Sequence, residues 1–583
     1  MSNKQSKGGI QSYIPILSSL SSYNKDWLRF DIIAALSVWA LLVPQGIAYA
    51  SIAGVPPQYG LYAAFGALIG YGLFGSAKQV ITGPSAAVAA VSASVVVALG
   101  ASSGSDDWIA YTAALAIMAG LIYILLGLFK MGWLSNFLSR AVLEGFVFAF
   151  GIGLIIDQSH KILGVDSVDG SYFQVLIGTL QELPETSIPT LVVGGTAIIV
   201  LLLMRRYLPK WPRSLIVVIA AIAASSLLDL ESYGVSIVGE VPTGLPTFGL
   251  PDISGASLLT LAVGGLAVIF VGFSESLAAA RESASKHNYE IDSSQEMTAQ
   301  GFANGISGLF GGFAVDGSLS KTTVADTAGQ KTQIASLIIA SLILLTMLFL
   351  AGLFTDLPNA VLGAVVIDAA LGLVKIKEYR RYQLNRRDFA AFMAAAIGLF
   401  FISILAGVMI GVVVSLLMLI ATASQSPVRP MGLDKSENLY VDAKKYPDAE
   451  TIPGVLVAKI FGQLFFADAE NFRTEVMELV QDYEPHSVVV DLDAATDIDM
   501  DGVEILTKIS GELEKQDIKF FLSRVDSANM ELFERIGAMD EIGSENIYTS
   551  VRAAVAAAQQ TEKSSPAETS QAPDASNSQE NSA

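Results

Sequence analysis

Asp316-Gly317-Ser318-Leu319-Ser320-Lys321-Thr322-Thr323 opens a short apolar segment in a part of the chain built almost wholly of apolar stretches. An earlier stretch, Thr82-Gly83-Pro84-Ser85-Ala86, does the same. Each sets helix-breaking or polar residues at the depth where a membrane helix should already be running. Lipid offers no hydrogen bonds, so irregular backbone survives there only where protein buries it or it lines a cavity. The two stretches therefore predict a pair of half-helices built around a site inside a membrane protein.

The surrounding composition supports a membrane. Of 583 residues, 52% are hydrophobic and only 15% are charged, against about 25% charged in soluble domains. Runs such as Ile188–Met204 and Ile334–Leu353 are long enough to cross a hydrocarbon core of about 30 Å as helices. Fourteen apolar segments begin near Ile32, Tyr59, Ala86, Ala110, Phe137, Ile188, Leu215, Leu258, Ala299, Leu319, Ile334, Val361, Phe389 and Ala406. The chain divides into an N-terminal segment (1–25), a transmembrane domain (26–425), a small α/β domain (437–558) and a tail (561–583) rich in Ser, Pro, Ala, Glu and Gln, which reads as disordered. The first 25 residues are polar and lack the apolar core of a cleavable signal peptide.

Several function classes fall away. The absence of cysteine excludes disulfides and thiolate metal sites. Three scattered histidines, His160, His287 and His486, argue against a metal centre. A net charge of −20 argues against nucleic acid as a partner. No nucleophile–base arrangement and no phosphate loop is present, so neither an enzyme nor a cofactor is expected.

Charge orients the segments. With a cytoplasmic N-terminus, even-numbered segments should be followed by basic loops. Lys78 follows the second, and Lys130 and Arg140 flank the turn after the fourth. Arg205, Arg206, Lys210 and Arg213 follow the sixth, Arg281 and Lys286 the eighth, and Lys375 through Arg387 the twelfth. The opposite loops are acidic, and 229–252 contains no Lys or Arg. Both termini are then cytoplasmic, in a bacterial inner (plasma) membrane.

The broken segments are the third and tenth of fourteen. They stand seven apart, so two seven-segment halves would be inverted relative to one another. Broken helices at matching positions of inverted repeats point to a transport site. Each half-helix N-terminus offers free N–H groups and partial positive charge. Two such ends with Lys321 nearby make an anion site. Ordinary loop breaks are the alternative, and the matched spacing favours a site. Pro44-Gln45-Gly46 interrupts the first segment. Gln45 can donate to an anion and Tyr49 can offer a hydroxyl or an aromatic wall; a plain proline kink is the competing reading. Glu275, inside the eighth segment, is either a proton-exchanging group or a salt-bridge partner of Lys321 or Arg281. Glu144 and Asp368 are weaker candidates, better explained by position near an interface.

Val43-Pro44-Gln45-Gly46-Ile47-Ala48-Tyr49-Ala50 and Ala53-Gly54-Val55-Pro56-Pro57-Gln58-Tyr59-Gly60-Leu61-Tyr62 strongly resemble the signature of the SulP sulfate-permease family. Ser274-Glu275-Ser276, Asn288-Tyr289-Glu290-Ile291-Asp292 with Gln295-Glu296, and Gly317-Ser318-Leu319-Ser320-Lys321 extend the match. The resemblance implies an α-helical membrane protein of about fourteen transmembrane segments in a 7+7 inverted repeat, divided into core and gate domains. It implies an anion held between the third and tenth half-helices by Gln45, Tyr49, Ser85, Ala86, Ser320 and Lys321. It also implies proton coupling through Glu275, and a homodimer. Many relatives carry Arg where Lys321 stands. Arg grips an oxyanion with a planar fork and Lys with a compact point charge, so sulfate, bicarbonate, chloride and dicarboxylates all stay open.

In the C-terminal domain, β-rich Val455–Phe465, helical Ala469–Leu479, apolar His486–Leu492, helical Asp501–Glu514, strand-like Ile518–Leu522 and helical Asn529–Ile536 alternate as an α/β fold. The domain resembles STAS, which soluble anti-sigma-factor antagonists share. Those carry a phosphorylatable serine immediately before the glycine that Gly502 matches. Here Asp501 takes that place, which argues against a phospho-switch there.

These readings converge on a secondary active transporter of an inorganic oxyanion, sulfate first, coupled to protons and working by alternating access across the bilayer. A carrier of bicarbonate, chloride or a dicarboxylate, a channel, and a membrane sensor or scaffold whose STAS domain binds a cytoplasmic protein are the alternatives.

Overall fold

The computed structural model describes residues 14–563 except 103, 134–138, 169, 209 and 210. The expected start of the fifth segment at Phe137, residues 1–13, and the tail from 564 onward lie outside the described residues. Cα packing separates two compact units, up to Leu416 and from Leu417.

In the first unit a helix stands at each of the fourteen expected segments. A short helix α1 (Pro15–Ser21) precedes them. Then come α2 (Leu28–Ile52), α3 (Gln58–Phe74), the strand β1 (Thr82–Gly83), α4 (Ala86–Ala98), α5 (Asp106–Leu128) and α6 (Arg140–Leu163). The short α7 (Tyr172–Gln181) leads to α8 (Ile188–Tyr207), α9 (Arg213–Leu228), α10 (Leu258–His287), α11 (Ser293–Leu309) and the strand β2 (Asp316–Gly317). They are followed by α12 (Leu319–Thr327), α13 (Ile334–Leu345), α14 (Asn359–Leu373), α15 (Ile376–Tyr382), α16 (Arg386–Phe401) and α17 (Ile404–Ala423). Eight helical stretches among the described residues are long and apolar enough to cross a membrane. The molecule is a multi-pass membrane protein.

α4, α8, α10, α12 and α13 start at the expected residue, whereas α2, α5 and α11 begin a turn or more ahead of it. Hydropathy marks where a helix turns apolar, whereas the helix begins at its cap. α11 begins at Ser293, ahead of the expected Ala299, because the Asp292 side chain accepts from Ser294 N at 2.8 Å and Gln295 N at 3.4 Å. α5 begins at Asp106 because Ser105 caps Trp108 N at 3.2 Å. The ten-residue α7 went unforeseen. It is amphipathic and closed by a capping box between Ser171 and Gln174.

The helices sort into two bundles. α11 packs along α5 and α3, α13 along α3 and α2, and α10 along α5 and α4. Separately, α6 packs against α16, α14 and α8, and α8 against α9. α2 reaches across to α14 and α9. Small residues make the close crossings, as is usual where lipid removes the hydrophobic drive between helices. A Cβ on Gly60 would lie 1.9 Å from the Gly46 carbonyl oxygen, and one on Gly70 would lie 2.6 Å from Ala303 Cα.

The second unit holds a six-stranded sheet ordered β4-β3-β5-β6-β7-β8. Its strands are β3 (Val428–Asp434), β4 (Leu439–Asp442), β5 (Val455–Ile460), β6 (Ser487–Asp491), β7 (Lys519–Ser523) and β8 (Ile547–Tyr548). β5 to β8 are parallel, and β3 pairs antiparallel with β4 and β5. Helices α18 (Ala469–Tyr483), α19 (Met500–Glu514), α20 (Ser527–Arg535) and α21 (Ala538–Ile542) bury one face around Phe472, Val490, Leu506 and Phe533. α22 (Val551–Lys563) covers the other face through Val551, Ala554 and Ala558. α22 takes in Thr561 to Lys563, where the sequence reading placed the start of the tail.

Candidate functional site between two half-helices

The two irregular stretches meet. β1 and β2 pair antiparallel, Thr82 opposite Gly317 and Gly83 opposite Asp316. This ribbon is the only pair of strands among the described residues of the first unit, and it sets the N-termini of α4 and α12 beside each other. Side chains replace the sheet neighbours that the ribbon lacks. Asn304 of α11 bonds both backbone groups of Val315, donating to its O and accepting from its N at 2.9 Å each. Gln300, one turn earlier, donates to Thr82 Oγ1 at 3.1 Å. Ser276 Oγ of α10 accepts from Gly317 N at 2.7 Å. Thr322 Oγ1 of α12 accepts from Ile81 N at 3.1 Å. Every backbone group freed by breaking the helices needs such a partner at membrane depth.

The six residues expected to line the anion site have places around this ribbon. Ser85 is the N-cap of α4, its Oγ accepting from Val88 N at 3.5 Å, and Ala86 opens the helix. Lys321, in the first turn of α12, is 1% exposed and donates through Nζ to the Pro84 carbonyl at 2.6 Å. That bond ties the head of one half-helix to the head of the other. Ser320 is exposed and shares a 3.0 Å hydroxyl contact with Ser318. α2 runs unbroken through Pro44. A Cβ on Gly83 would sit 3.4 Å from Leu42 Cδ1, and Gln45 and Tyr49 lie on the same helical face as Leu42. Gln45 Oε1 is buried and has no hydrogen-bond partner among the described residues. Tyr49 is buried and feels the charges of Glu275 and Asp316.

Glu275 is turned toward the Leu319 N–H, at the head of α12, and toward the Lys321 ammonium. Among the described residues it forms no ion pair with either Lys321 or Arg281. Glu144 and Asp368 are held by ion pairs away from the ribbon. Lys375 reaches Glu144 at 3.6 Å, and Arg213 and Arg205 reach Asp368 at 2.8 and 3.8 Å. Asp316 is a residue to which the sequence alone gives no role. It is fully buried on β2, and neither carboxylate oxygen has a hydrogen-bond partner among the described residues.

In the second unit, α19 carries Asp501 in its first turn and is capped by Asp499. Its Oδ1 accepts from Gly502 N at 2.8 Å and its Oδ2 from Phe466 N at 2.9 Å. Gly502 is required by contact, since a Cβ there would lie 2.4 Å from the Leu464 carbonyl oxygen.

The sulfate permease family model matches residues 28–395, and the STAS domain model matches 446–554. The chain belongs to the sulfate permease family. It is 31% identical over 552 residues to a probable sulfate transporter of Mycobacterium tuberculosis, covering 94% of this chain and 98% of that protein. It is 28% identical over 574 residues to sulfate transporter 1.1 of Arabidopsis thaliana, covering 94% and 88%. The fold superposes on the murine solute carrier 26 family member A9 anion transporter in its inward-facing state. The TM-score there is 0.87 at 27% identity, over 96% of each chain. It also matches the transmembrane domain of a cyanobacterium bicarbonate transporter, with a TM-score of 0.57 at 24% identity over 67% of this chain and 98% of that one. At that identity the likeness concerns the fold alone. The family match covers the whole ribbon and every residue around it described above.

Proposed function

We propose that this family member is a secondary active transporter that moves an inorganic oxyanion, sulfate first, together with protons by alternating access. The pairing of β1 with β2, pinned by Lys321 on Pro84, carries this reading. Two half-helix ends and a buried ammonium focus positive potential on one spot. Ser85, Ala86, Ser320 and Lys321 would hold the anion from the half-helices, and Gln45 and Tyr49 would close over it from α2.

Charge balance supports proton coupling. With Lys321 charged and both Glu275 and Asp316 ionised, the side chains sum to a net negative site that repels a dianion. A proton on Glu275, which faces both Lys321 and the head of α12, removes that repulsion. Loss of the proton on the cytoplasmic side would expel the anion. A dimer, and a cytoplasmic protein bound to the STAS domain, complete the proposal.

The sulfate names of the Mycobacterium and Arabidopsis relatives support sulfate over bicarbonate, chloride and dicarboxylates. The test is radiolabelled sulfate uptake into proteoliposomes, with and without an inward proton gradient, in competition with those three classes. Gradient-stimulated accumulation, cut by Glu275→Gln, is the expected result. Flux of another anion alone would move the substrate. No flux of any of them would move the reading to a membrane sensor acting through the STAS domain.

A further inference from the structure

We infer that Asp316 is a second proton-carrying group of the transport site, so that two protons accompany each dianion and the cycle moves no net charge. The inference rests on the proton-coupled reading above and adds its stoichiometry.

The geometry is specific. Asp316 sits on the ribbon itself, opposite Gly83, with 0% of its surface exposed and both carboxylate oxygens unbonded among the described residues. A carboxylate buried without a bonded donor costs far more than a protonated carboxyl in the same place. Groups face it from every neighbouring element. They are Glu275 from α10, Lys321 from α12 and the Ser85 hydroxyl from α4, with Tyr123 from α5 and Tyr49 from α2. Lys321 is the one cation among them. It can balance one of the two carboxylates, not both together with a dianion.

The charges then close on a cycle. Loaded, Asp316 and Glu275 are both protonated, and Lys321 with the dianion leaves one net negative charge. Empty, both carboxyls have released their protons to the cytoplasmic water, and Lys321 with two carboxylates again leaves one net negative charge. The moving part thus crosses in both directions with the same charge. Each turn carries one dianion and two protons inward. With a single proton carrier, each turn would move one net negative charge.

The experiment is the equilibrium sulfate accumulation ratio in proteoliposomes under a fixed inward proton gradient, with membrane potential clamped by a potassium gradient and valinomycin. The ratio is thermodynamic and does not depend on how many carriers survive reconstitution. The wild type should give a ratio that potential leaves unchanged. Asp316→Asn should make it change about fiftyfold per 100 mV, as one uncompensated charge requires. Glu275→Gln should retain a gradient-driven ratio through Asp316, with the same new potential dependence. This arm keeps the test decisive if Asp316→Asn does not assemble. A potential-dependent wild-type ratio, an Asp316→Asn ratio identical to wild type, or complete loss of proton drive in Glu275→Gln each overturns the inference. Absence of any proton drive in the wild type overturns the coupled reading instead.

Discussion

Lys321 shows how much one side chain can be asked to do at membrane depth. Its ammonium is almost wholly buried, yet its one hydrogen bond among the described residues goes to a backbone carbonyl, Pro84 O. That leaves two N–H donors for a ligand. Lys321→Ala removes both the charge and the tie between the half-helices. A hydrogen bond to a charged group contributes about 1.5–3 kcal/mol, so sulfate uptake kinetics should show KM raised about ten- to hundredfold, or transport lost. An unchanged KM would mean that the helix ends suffice. A different ionic cluster sets a pH limit on the STAS domain. Lys459, 2.8 Å from the Asp493 carboxylate, and then Arg524, hold that carboxyl below the usual carboxylate range. A depressed carboxyl contributes stability above its unfolded value, about pH 4, and loses it as pH falls through the folded value. Asp493 is 47% exposed, so solvent screening limits the effect to about 1 kcal/mol at most. Asp493→Asn should therefore lower the melting temperature of the STAS domain slightly at pH 7. The difference should vanish as the acid limit is reached, and a difference that grows toward low pH would contradict the assignment.

Among the elements, the crossing of α2 and α3 limits how far the site can be altered. Gly46 follows Gln45 directly, and Gly60 meets it backbone to backbone. Gly60→Ala sets a methyl into the Gly46 carbonyl and should either push α2, with Gln45 and Tyr49, away from the ribbon or prevent assembly. Overpacking of this kind typically costs about 1–3 kcal/mol. Thermal unfolding of detergent-solubilised protein, followed by size exclusion, should show a clear loss. Gly195→Ala on α8, which meets nothing within 4 Å, should behave as wild type. Equal behaviour of the two variants would refute the packing argument. This scale also separates what the sequence discloses from what it hides. Pro84, Gly317 and Lys321 are so costly inside a bilayer that their presence announces the half-helices. Ser276, Thr322 and Asn304 announce nothing, because a hydroxyl or amide on a helix usually bonds its own turn. Ser276 does so with Gly272 O while also accepting from Gly317 N, and only the fold reveals the second partner. Asp316 stood in plain view, but its meaning depends on its burial beside Glu275 and Lys321, which only the fold reveals. The hairpin of β3 and β4 was missed because its short strands include Pro430 and charged residues. Its pairing comes from the sheet that it joins.

For the membrane unit as a whole, the proposed alternating access asks how two bundles would move around one ribbon. The ribbon and its supports belong to the bundle of α2–α5 and α10–α13. The bundle of α6, α8, α9, α14 and α16 supplies none of the ribbon's hydrogen bonds among the described residues. Three connectors run between the bundles, after α5, α9 and α13, and those after α9 and α13 are stitched to each other. Val238 N donates to Leu357 O at 2.8 Å, and Asn359 N to Ser236 O at 2.9 Å. The connector after α9 also grips the ribbon bundle, through Gly249 N to Leu309 O at 3.0 Å. Stitched connectors resist separation but permit rotation, which suits a hinge. The ends of α2 and α6 touch where Lys161 Nζ donates to Ser51 Oγ at 3.1 Å. The proposed alternating access would require that contact to open and close. The chain contains no cysteine, so Ser51→Cys with Lys161→Cys can be joined selectively by a short cleavable thiol cross-linker. Sulfate uptake should fall in proportion to the cross-linked fraction and recover when the linker is cut. Each single-cysteine variant treated in the same way should keep its activity. Full cross-linking with undiminished uptake would mean that the bundles do not separate at this end, and the motion that delivers the anion would have to lie elsewhere in the fold.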